Sequence, residues 1–508
     1  MGNSIKYPVP GSAQVRFLWR WCPGIAGRIV SSVLTKARCR VPENRSLSGL
    51  DAAFLYLEGL GTPMHVGSLM LLEPPAGFDG DFHRRLVEHV ADRLAAAAPL
   101  RRVLESAPLG LGHPLWRDRA RLDMDWHIQK RKLRAPGSHN ALMGLVARLH
   151  AEPMDRSHPL WQLVVIEGLA DGRLALYSRL HHALLDGKGD IALARALLDV
   201  EPEPKRRNPV AAAAPDSTPT GRARLATRAA TATVGSLGRW IRGIPDTVRL
   251  AASGVAAPGK TLDGLRESIM LAPRTVFNAQ VGERRAFAVA SLDLQRCKQV
   301  ARARGVSLND LIMALCTSAL RGLLIRRRAL PKRAMIAGMP VSLRAEDDGQ
   351  ANNQVSMVQC ELPTDEPDPL RRLARIRAST EQIKARVHAF SSLIPTDFPG
   401  LAAPFWATGL SRLWQRGRLS ERLPPLANLV ISNVPGPPMP LYLAGAAVTH
   451  YYPISIVTHG LALNITVQSY AGSLEFGVLS CPEALPRPET LTGRLAAALD
   501  QLEQRIQA

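Results

Sequence analysis

Apolar and polar positions alternate with two different periods along this chain, and the change of period marks its elements. GFDGDFHRRLVEHVADRLAAA repeats apolar side chains at Phe82, Leu86, Val90 and Leu94, the spacing of one helix face, and predicts a helix there. WQLVVIEGL and RLALYSRL are short runs rich in Val, Ile, Leu and Tyr and predict strands. In the second run Leu176, Ser178, Leu180 and His182 fall on one face and Ala175, Tyr177, Arg179 and His181 on the other, provided that the strand persists to residue 182. Further on, AFAVASL reads as a strand and LQRCKQVARARG as a helix. VSLNDLIMALCTSALRGLLIRRR predicts a longer helix, with Ser307 as N-cap and Ile312, Leu315, Ala319 and Leu323 on one face.

Two stretches break these patterns. Residues 202–275 are dominated by Pro, Ala, Thr and Arg with few large apolar residues, which predicts an exposed connector. Between Arg422 and Glu475 lie 52 residues without Asp, Glu, Lys or Arg. Four prolines (Pro435, Pro437, Pro438, Pro440) and scattered Asn and Gln argue against a membrane span. NLVISNV, AAVTHYYPISIV and LALNITVQSYAG are therefore expected to be central strands covered on both faces, where a charge would be costly to desolvate. The organisation expected is a basic extension over 1–46, an α/β layered domain over 47–201, the connector over 202–275 and a second α/β domain over 276–508.

Charge and cysteine usage narrow the classes. Across 508 residues the net charge is +21 and the sequence pI about 10.5, which favours an anionic partner or surface. With 5% aromatic residues, no zinc-finger or RNP spacing and basic residues spread along the chain, a membrane surface or a phosphate-bearing small molecule is favoured over nucleic acid. The first 42 residues carry seven Lys or Arg and no acid. Pro23 and Gly24 interrupt them and there is no uninterrupted apolar core, so they read as a basic membrane-surface segment or an extension of low order and not as a secretory signal. The six cysteines form no C-x-x-C pair, as expected of free thiols in a reducing compartment.

Two short motifs compete for the chemistry. GVAAPGKT at 254–261 fits the phosphate-loop pattern, but it lies in the connector with no buried strand to deliver it. HHALLDG at 181–187 follows an apolar strand, and a turn at Asp186 and Gly187 precedes a renewed helical pattern. A histidine so placed can act as a general base. The alternatives are metal ligation by His182 and Asp186, for which no third ligand pattern is present, a hydrolase triad, for which no G-x-S-x-G is present, and purely structural histidines.

HHALLDG has company. Pro159, Leu160 and Trp161 form PLW, Asn309 and Asp310 form ND, Pro340–Arg344 reads PVSLR and Ser432–Pro437 reads SNVPGP. In this order the motifs resemble those of the bacterial wax ester synthase/acyl-CoA:diacylglycerol acyltransferase family, from about Leu47 to Ser480. LSGLDAAFLYLE with PMHVGSLMLLE, and LNITVQSYAGSLEFGV, look like that family's first and last strands. Asn352 stands where similar proteins have glycine. The resemblance implies two chloramphenicol-acetyltransferase-like halves with mixed sheets, meeting at a channel and joined by the connector as a long crossover.

It also implies acyl-CoA as co-substrate with no bound cofactor or metal. The acceptor would be a diacylglycerol or long-chain alcohol, and the product triacylglycerol or wax ester. In this reading His182 is the base and His181 its neighbour. Asp186 is a brace paired with an arginine, for which Arg344 is the candidate, and Gly187 permits the turn. Asn309 either donates to the oxyanion or positions a loop, with Asp310 beside it. Pro159, Leu160 and Trp161 are structural or line the channel. The protein is expected in the cytoplasm, in peripheral contact with membrane or lipid inclusions. A condensation-type acyltransferase using carrier-protein thioesters, or a lipid-binding protein with a degenerate site, is the alternative.

Overall fold

A computed structural model describes residues 45–47, 49–59, 61–94, 97–106, 113–184, 197–203, 270–342, 355–390 and 423–507, with residues 194 and 227. Asp186, Gly187, Arg344, Asn352, the pattern at 254–261 and nearly all of the N-terminal extension and the connector lie outside these residues. Residues 44–508 form one compact unit.

The first part of the chain runs Arg45–Ser46 (β1), Gly49–Leu57 (α1), His65–Glu73 (β2), Phe82–Leu94 (α2), Arg102–Glu105 (β3), Leu115–Asp118 (β4), Ile128–Lys132 (β5), His139–Ala151 (α3), Trp161–Glu167 (β6), Leu174–His181 (β7) and Leu198–Asp199 (β8). After the connector come Ala286–Asp293 (β9), Leu294–Ala303 (α4), Leu308–Arg326 (α5), Met335–Ser342 (β10), Val355–Leu362 (β11), Pro369–Phe390 (α6), Leu429–Val434 (β12), Tyr442–Leu443 (β13), Ala446–Ile454 (β14), Leu463–Tyr470 (β15), Ser473–Ser480 (β16) and Leu495–Gln507 (α7).

Local chemistry accounts for most of these boundaries. Phe82, Leu86, Val90 and Leu94 are all buried on α2, as their spacing requires. Ser307 caps α5: its hydroxyl accepts the Asp310 N–H at 3.1 Å while the Asp310 carboxylate accepts the Ser307 N–H at 2.9 Å. Helix α5 is long and apolar enough to cross a bilayer. It is a core helix instead, buried nearly all round from Asp310 to Leu324 and not only along the face that the spacing suggested.

LSGLDAAFLYLE departs from expectation. It is helix α1, not a strand. Its alanines and leucines are good helix formers, Asp51 lies in the first turn, and Ala52 and Leu55 face the core.

Both large sheets are mixed. One has seven strands in the order β5-β6-β7-β2-β14-β13-β8, antiparallel except for β5 with β6. The other has six in the order β11-β10-β12-β15-β16-β9, with β10, β12 and β15 parallel. In β2 and β7 alternation divides the core: Leu69, Leu71, Ala175 and Tyr177 pack toward the second sheet, while Met70, Leu72, Leu176 and Leu180 pack toward α2.

The architecture is thus the two-part α/β arrangement with mixed sheets that the sequence led us to expect. The chain boundary near residue 276, however, is not a boundary between sheets. Strand β14, from the charge-free stretch, pairs along β2 from Ala447↔Glu73 to Ile454↔Gly67 and so completes the first sheet. Hydrophobic pattern predicts that such a segment is a strand but not which strand it joins.

Where β14 crosses β16 the two sheets touch. A Cβ on Gly477 would overlap the Pro453 carbonyl oxygen, so glycine is required for this approach. Beside it the fully buried Glu475 meets His450 Nδ1 at 3.1 Å and accepts the Ser291 hydroxyl, which also contacts the Tyr452 hydroxyl at 3.0 Å.

Candidate active site

Strand β7 ends at His181, and His182 opens a short 3-10 turn over His182–Leu184. The strand does not persist to residue 182. Two backbone bonds suspend the turn: His181 N–H donates to the Leu160 carbonyl at 2.9 Å and His182 N–H to the Met64 carbonyl at 2.8 Å. Leu160 belongs to PLW, so part of that motif's role is to supply a carbonyl to the histidine turn.

The rest of PLW is core. Trp161 is fully buried, donates its indole N–H to the Leu100 carbonyl at 2.8 Å and stacks on His127 at 4.0 Å.

The two histidines differ in what their rings can do. His181 is fully buried, and its Nδ1 accepts the Ala183 N–H at 3.0 Å. That places its proton on Nε2, which faces Glu58 Oε1 at 3.6 Å, an electrostatic contact too long for a hydrogen bond. His181 is thus bonded at Nδ1 and sealed at Nε2 against a carboxylate.

His182 lies flat against Phe54, with ring centroids 3.8 Å apart and planes 12° from parallel. Among the described residues its Nδ1 is sealed from solvent without a hydrogen-bond partner, and the residue as a whole is only half-buried. Burial lowers the His182 pKa to about 4; its own backbone carbonyl works against this and His181 adds to it. With Nδ1 sealed, Nε2 is the ring nitrogen left to meet an incoming hydroxyl.

Glu58 sits at the end of α1 with most of its surface covered. Burial alone would raise its pKa, but His181 and then Arg156 outweigh it and hold the carboxyl at about 2. Oε1 also accepts the Met64 N–H at 3.2 Å, and Oε2 accepts both Nε and a terminal nitrogen of Arg156, at 3.2 and 2.6 Å.

Behind the turn lies a second set of rings. His65 opposes His181 in the β2–β7 register and donates from Nε2 to the His150 carbonyl at 3.0 Å. His150 donates from Nε2 to the Ser455 carbonyl, just beyond β14, and accepts the Tyr177 hydroxyl at Nδ1, both at 2.8 Å. Burial depresses both histidines, His65 well below the ordinary value and His150 to about 3. They are neutral connectors between the first sheet and the segment that returns from the second.

Asn309 and Asp310 sit at the start of α5. Asp310 is spent on the fold: besides the cap it accepts the Thr380 hydroxyl at 2.7 Å. Asn309 does not cap. Its carbonyl accepts the Asn433 amide at 3.4 Å and its own amide points at Met339 Sδ, a weak acceptor 3.8 Å away. Thus ND and SNVPGP meet through Asn309 and Asn433. Among the described residues no hydrogen bond, ion pair or ring contact links them to the histidines.

Sequence reasoning passed over Phe54, Glu58, His65, His150 and Asn433. Phe54 and Glu58 are four positions apart, neighbours on a helix face. Reading that stretch as a strand, where positions four apart also share a face but lie further from each other, hid their partnership.

A family model described as the wax ester synthase/diacylglycerol acyltransferase catalytic domain matches residues 47–312, and one described as the WS/DGAT C-terminal domain matches residues 351–503. A Mycobacterium bovis protein named as a diacylglycerol O-acyltransferase is 36% identical over 464 residues, 90% of this chain and 98% of that protein. A Mycobacterium tuberculosis protein named likewise is 37% identical over 465 residues, 91% of this chain and all of that protein. The solved structure of the wax ester synthase/diacylglycerol acyltransferase from Marinobacter aquaeolei VT8 aligns with a TM-score of 0.65 at 30% identity, covering 91% of this chain and 100% of that one. With its motifs in order, its histidine turn assembled and both domains matched, the chain belongs to the wax ester synthase/diacylglycerol acyltransferase family.

Proposed function

We propose that His182 is the general base of an acyl transfer from acyl-CoA to the hydroxyl of a diacylglycerol or a long-chain alcohol. Family membership makes the chain an acyltransferase producing triacylglycerol or wax ester. The observation that carries the assignment of the base is the contrast between the histidines: His181 is fully buried, with Nδ1 bonded to the Ala183 N–H and Nε2 sealed against Glu58, whereas the half-buried His182 is held neutral and makes no side-chain hydrogen bond among the described residues.

In the proposed cycle His182 Nε2 takes the proton from the acceptor hydroxyl as its oxygen attacks the thioester carbonyl. The tetrahedral intermediate expels the CoA thiolate, and the imidazolium returns the proton to that sulfur. No acyl-enzyme is required, and burial pushes the thiols of Cys297, Cys316 and Cys360 up to about 12, which keeps them protonated and poorly nucleophilic. Asn309, fixed by Asn433, is a candidate positioning or oxyanion group.

We also propose that the enzyme works in the cytoplasm in peripheral contact with membrane or lipid inclusions. Supporting this, Arg326, Arg327, Arg328, Lys332 and Arg333 are exposed beside exposed Ile325, in a stretch without an acid. Co-sedimentation with phosphatidylglycerol vesicles but not with phosphatidylcholine vesicles is expected, weakening with salt.

The catalytic reading is tested by incubating the purified protein with labelled palmitoyl-CoA against hexadecanol and diacylglycerol and separating the products. Ester formation by wild type and none by folded His182→Ala is expected. Wild-type turnover by His182→Ala would overturn it. Transfer from an acyl carrier protein but not from acyl-CoA would move the donor to a carrier-bound thioester.

A further inference from the structure

We propose that Glu58 is a positioning residue that clamps the histidine turn from the end of α1. It would hold His181 and the Met64 backbone at once, and through them fix the direction of the His182 ring. The proposal rests on His182 being the base.

Four observations carry it. First, one carboxylate oxygen, Oε1, lies 3.6 Å from His181 Nε2 and accepts the Met64 N–H at 3.2 Å. Met64 is the residue whose carbonyl receives the His182 N–H, so Glu58 grips both ends of the support of the turn.

Second, His181 passes the constraint on. With its Nε2–H facing the carboxylate, its Nδ1 is left to accept the Ala183 N–H, the first backbone donor beyond His182. Reversing that tautomer would bring the Ala183 N–H against another N–H. An acidic partner at Glu58 is thus what suits this form of His181, much as a buried acid fixes a histidine tautomer in hydrolases.

Third, the carboxylate is itself anchored. Arg156 occupies Oε2 and also donates to the Leu55 carbonyl at 3.0 Å, tying Glu58 to the last turn of α1. Fourth, the same helix turn supplies Phe54, which lies flat on His182. Helix α1 therefore contacts both histidines, one through a charge and the other through a ring face. A carboxylate required only for folding would have no need to approach the single ring whose tautomer sets the turn.

The test compares wild type with Glu58→Gln and Glu58→Asp by melting temperature and by kcat, KM and the pH dependence of kcat/KM, using palmitoyl-CoA and the acceptor that wild type turns over. Glu58→Gln keeps the shape and loses the charge. A small misplacement of a catalytic ring costs on the order of a hundredfold, so kcat is expected to fall about tenfold to a hundredfold with KM for acyl-CoA within about twofold. As the turn loosens and His182 gains water, the acid limb of kcat/KM should move upward toward the ordinary histidine range. Glu58→Asp, which retracts the charge by one methylene, should lie between the two.

Because stability itself falls at low pH, the limb is read only where circular dichroism shows each variant folded, with rates divided by the folded fraction; loss of folded enzyme alone then leaves both kcat and the limb in place. A folded Glu58→Gln with wild-type kcat and an unmoved limb would overturn the proposal. If Glu58→Gln does not fold, the same outcome in Glu58→Asp overturns it. His182→Ala run alongside separates the two readings: an active His182→Ala defeats the base itself, whereas an inactive His182→Ala beside a fully active Glu58→Gln defeats only the clamp.

Discussion

The histidine turn and the seam between the two sheets are both buried and rich in polar groups, yet they are finished differently. At the seam Glu475 is met by His450 and Ser291, Ser291 by Tyr452, and the backbones of β14 and β16 approach as closely as Gly477 permits. At the turn, among the described residues, His182 Nδ1, His181 Nε2 and His65 Nδ1 are each sealed without a hydrogen bond. Buried polar groups left incompletely satisfied cost stability. The fold accepts this cost at the turn, where the two histidines and His65 crowd together, and avoids it at the seam.

The largest effect that can break this contrast is chemical. His182→Ala should lower turnover by on the order of 10²- to 10⁴-fold with the melting temperature little changed, as measured by product formation and calorimetry. The converse belongs to the seam. Gly477→Ala should destabilise by about 1–3 kcal/mol in urea unfolding, since the added Cβ meets backbone that cannot swing aside, while the folded fraction keeps its kcat. Equal loss of kcat in that fraction would mean that the seam also sets the site.

Trp161→Phe tests the support under the turn. It leaves the Leu100 carbonyl without its indole donor and a small void against His127, a cost of about 1–3 kcal/mol. A melting temperature unchanged by the substitution would show that PLW acts in some other way.

A smaller and more distributed effect should come from pH. Burial holds His65, His127, His150 and His182 below their ordinary value in the folded protein. Between the unfolded value near 6.5 and the folded values, about 4 for His127 and His182 and about 3 for His150, the unfolded chain binds more protons. Stability must therefore fall as pH drops below about 6.5. Urea midpoints measured at pH 7, 6 and 5 should decrease in that order, whereas Glu58, held at about 2, favours the folded state throughout that range.

These contrasts also explain what could be read from the sequence. Helices α2 and α5 and strands β6, β7, β12 and β15 were legible because their patterns are local: a helical face, a Ser307 cap, a short β-branched run. HHALLDG was legible because its histidines are adjacent in the chain. The difference between those histidines was not. His181 is set apart by Glu58, far upstream, and His150 reaches Ser455, 305 residues away. The transfer of β14 to the first sheet depends on pairing that no local period encodes. Alternation alone placed the rings on opposite faces of one strand; a 3-10 turn separates them instead.

The most direct test of the central claim, that His182 is a neutral base acting through Nε2, is the pH dependence of kcat/KM for the wild-type enzyme, which reports the free enzyme's essential base. An acid limb near pH 4 is expected, since burial lowers His182 to about 4. Measurements over the range where the enzyme remains folded should show activity flat through pH 6.5. A limb centred near 6.5 would contradict it, because it would mean that the base is a histidine in ordinary contact with water.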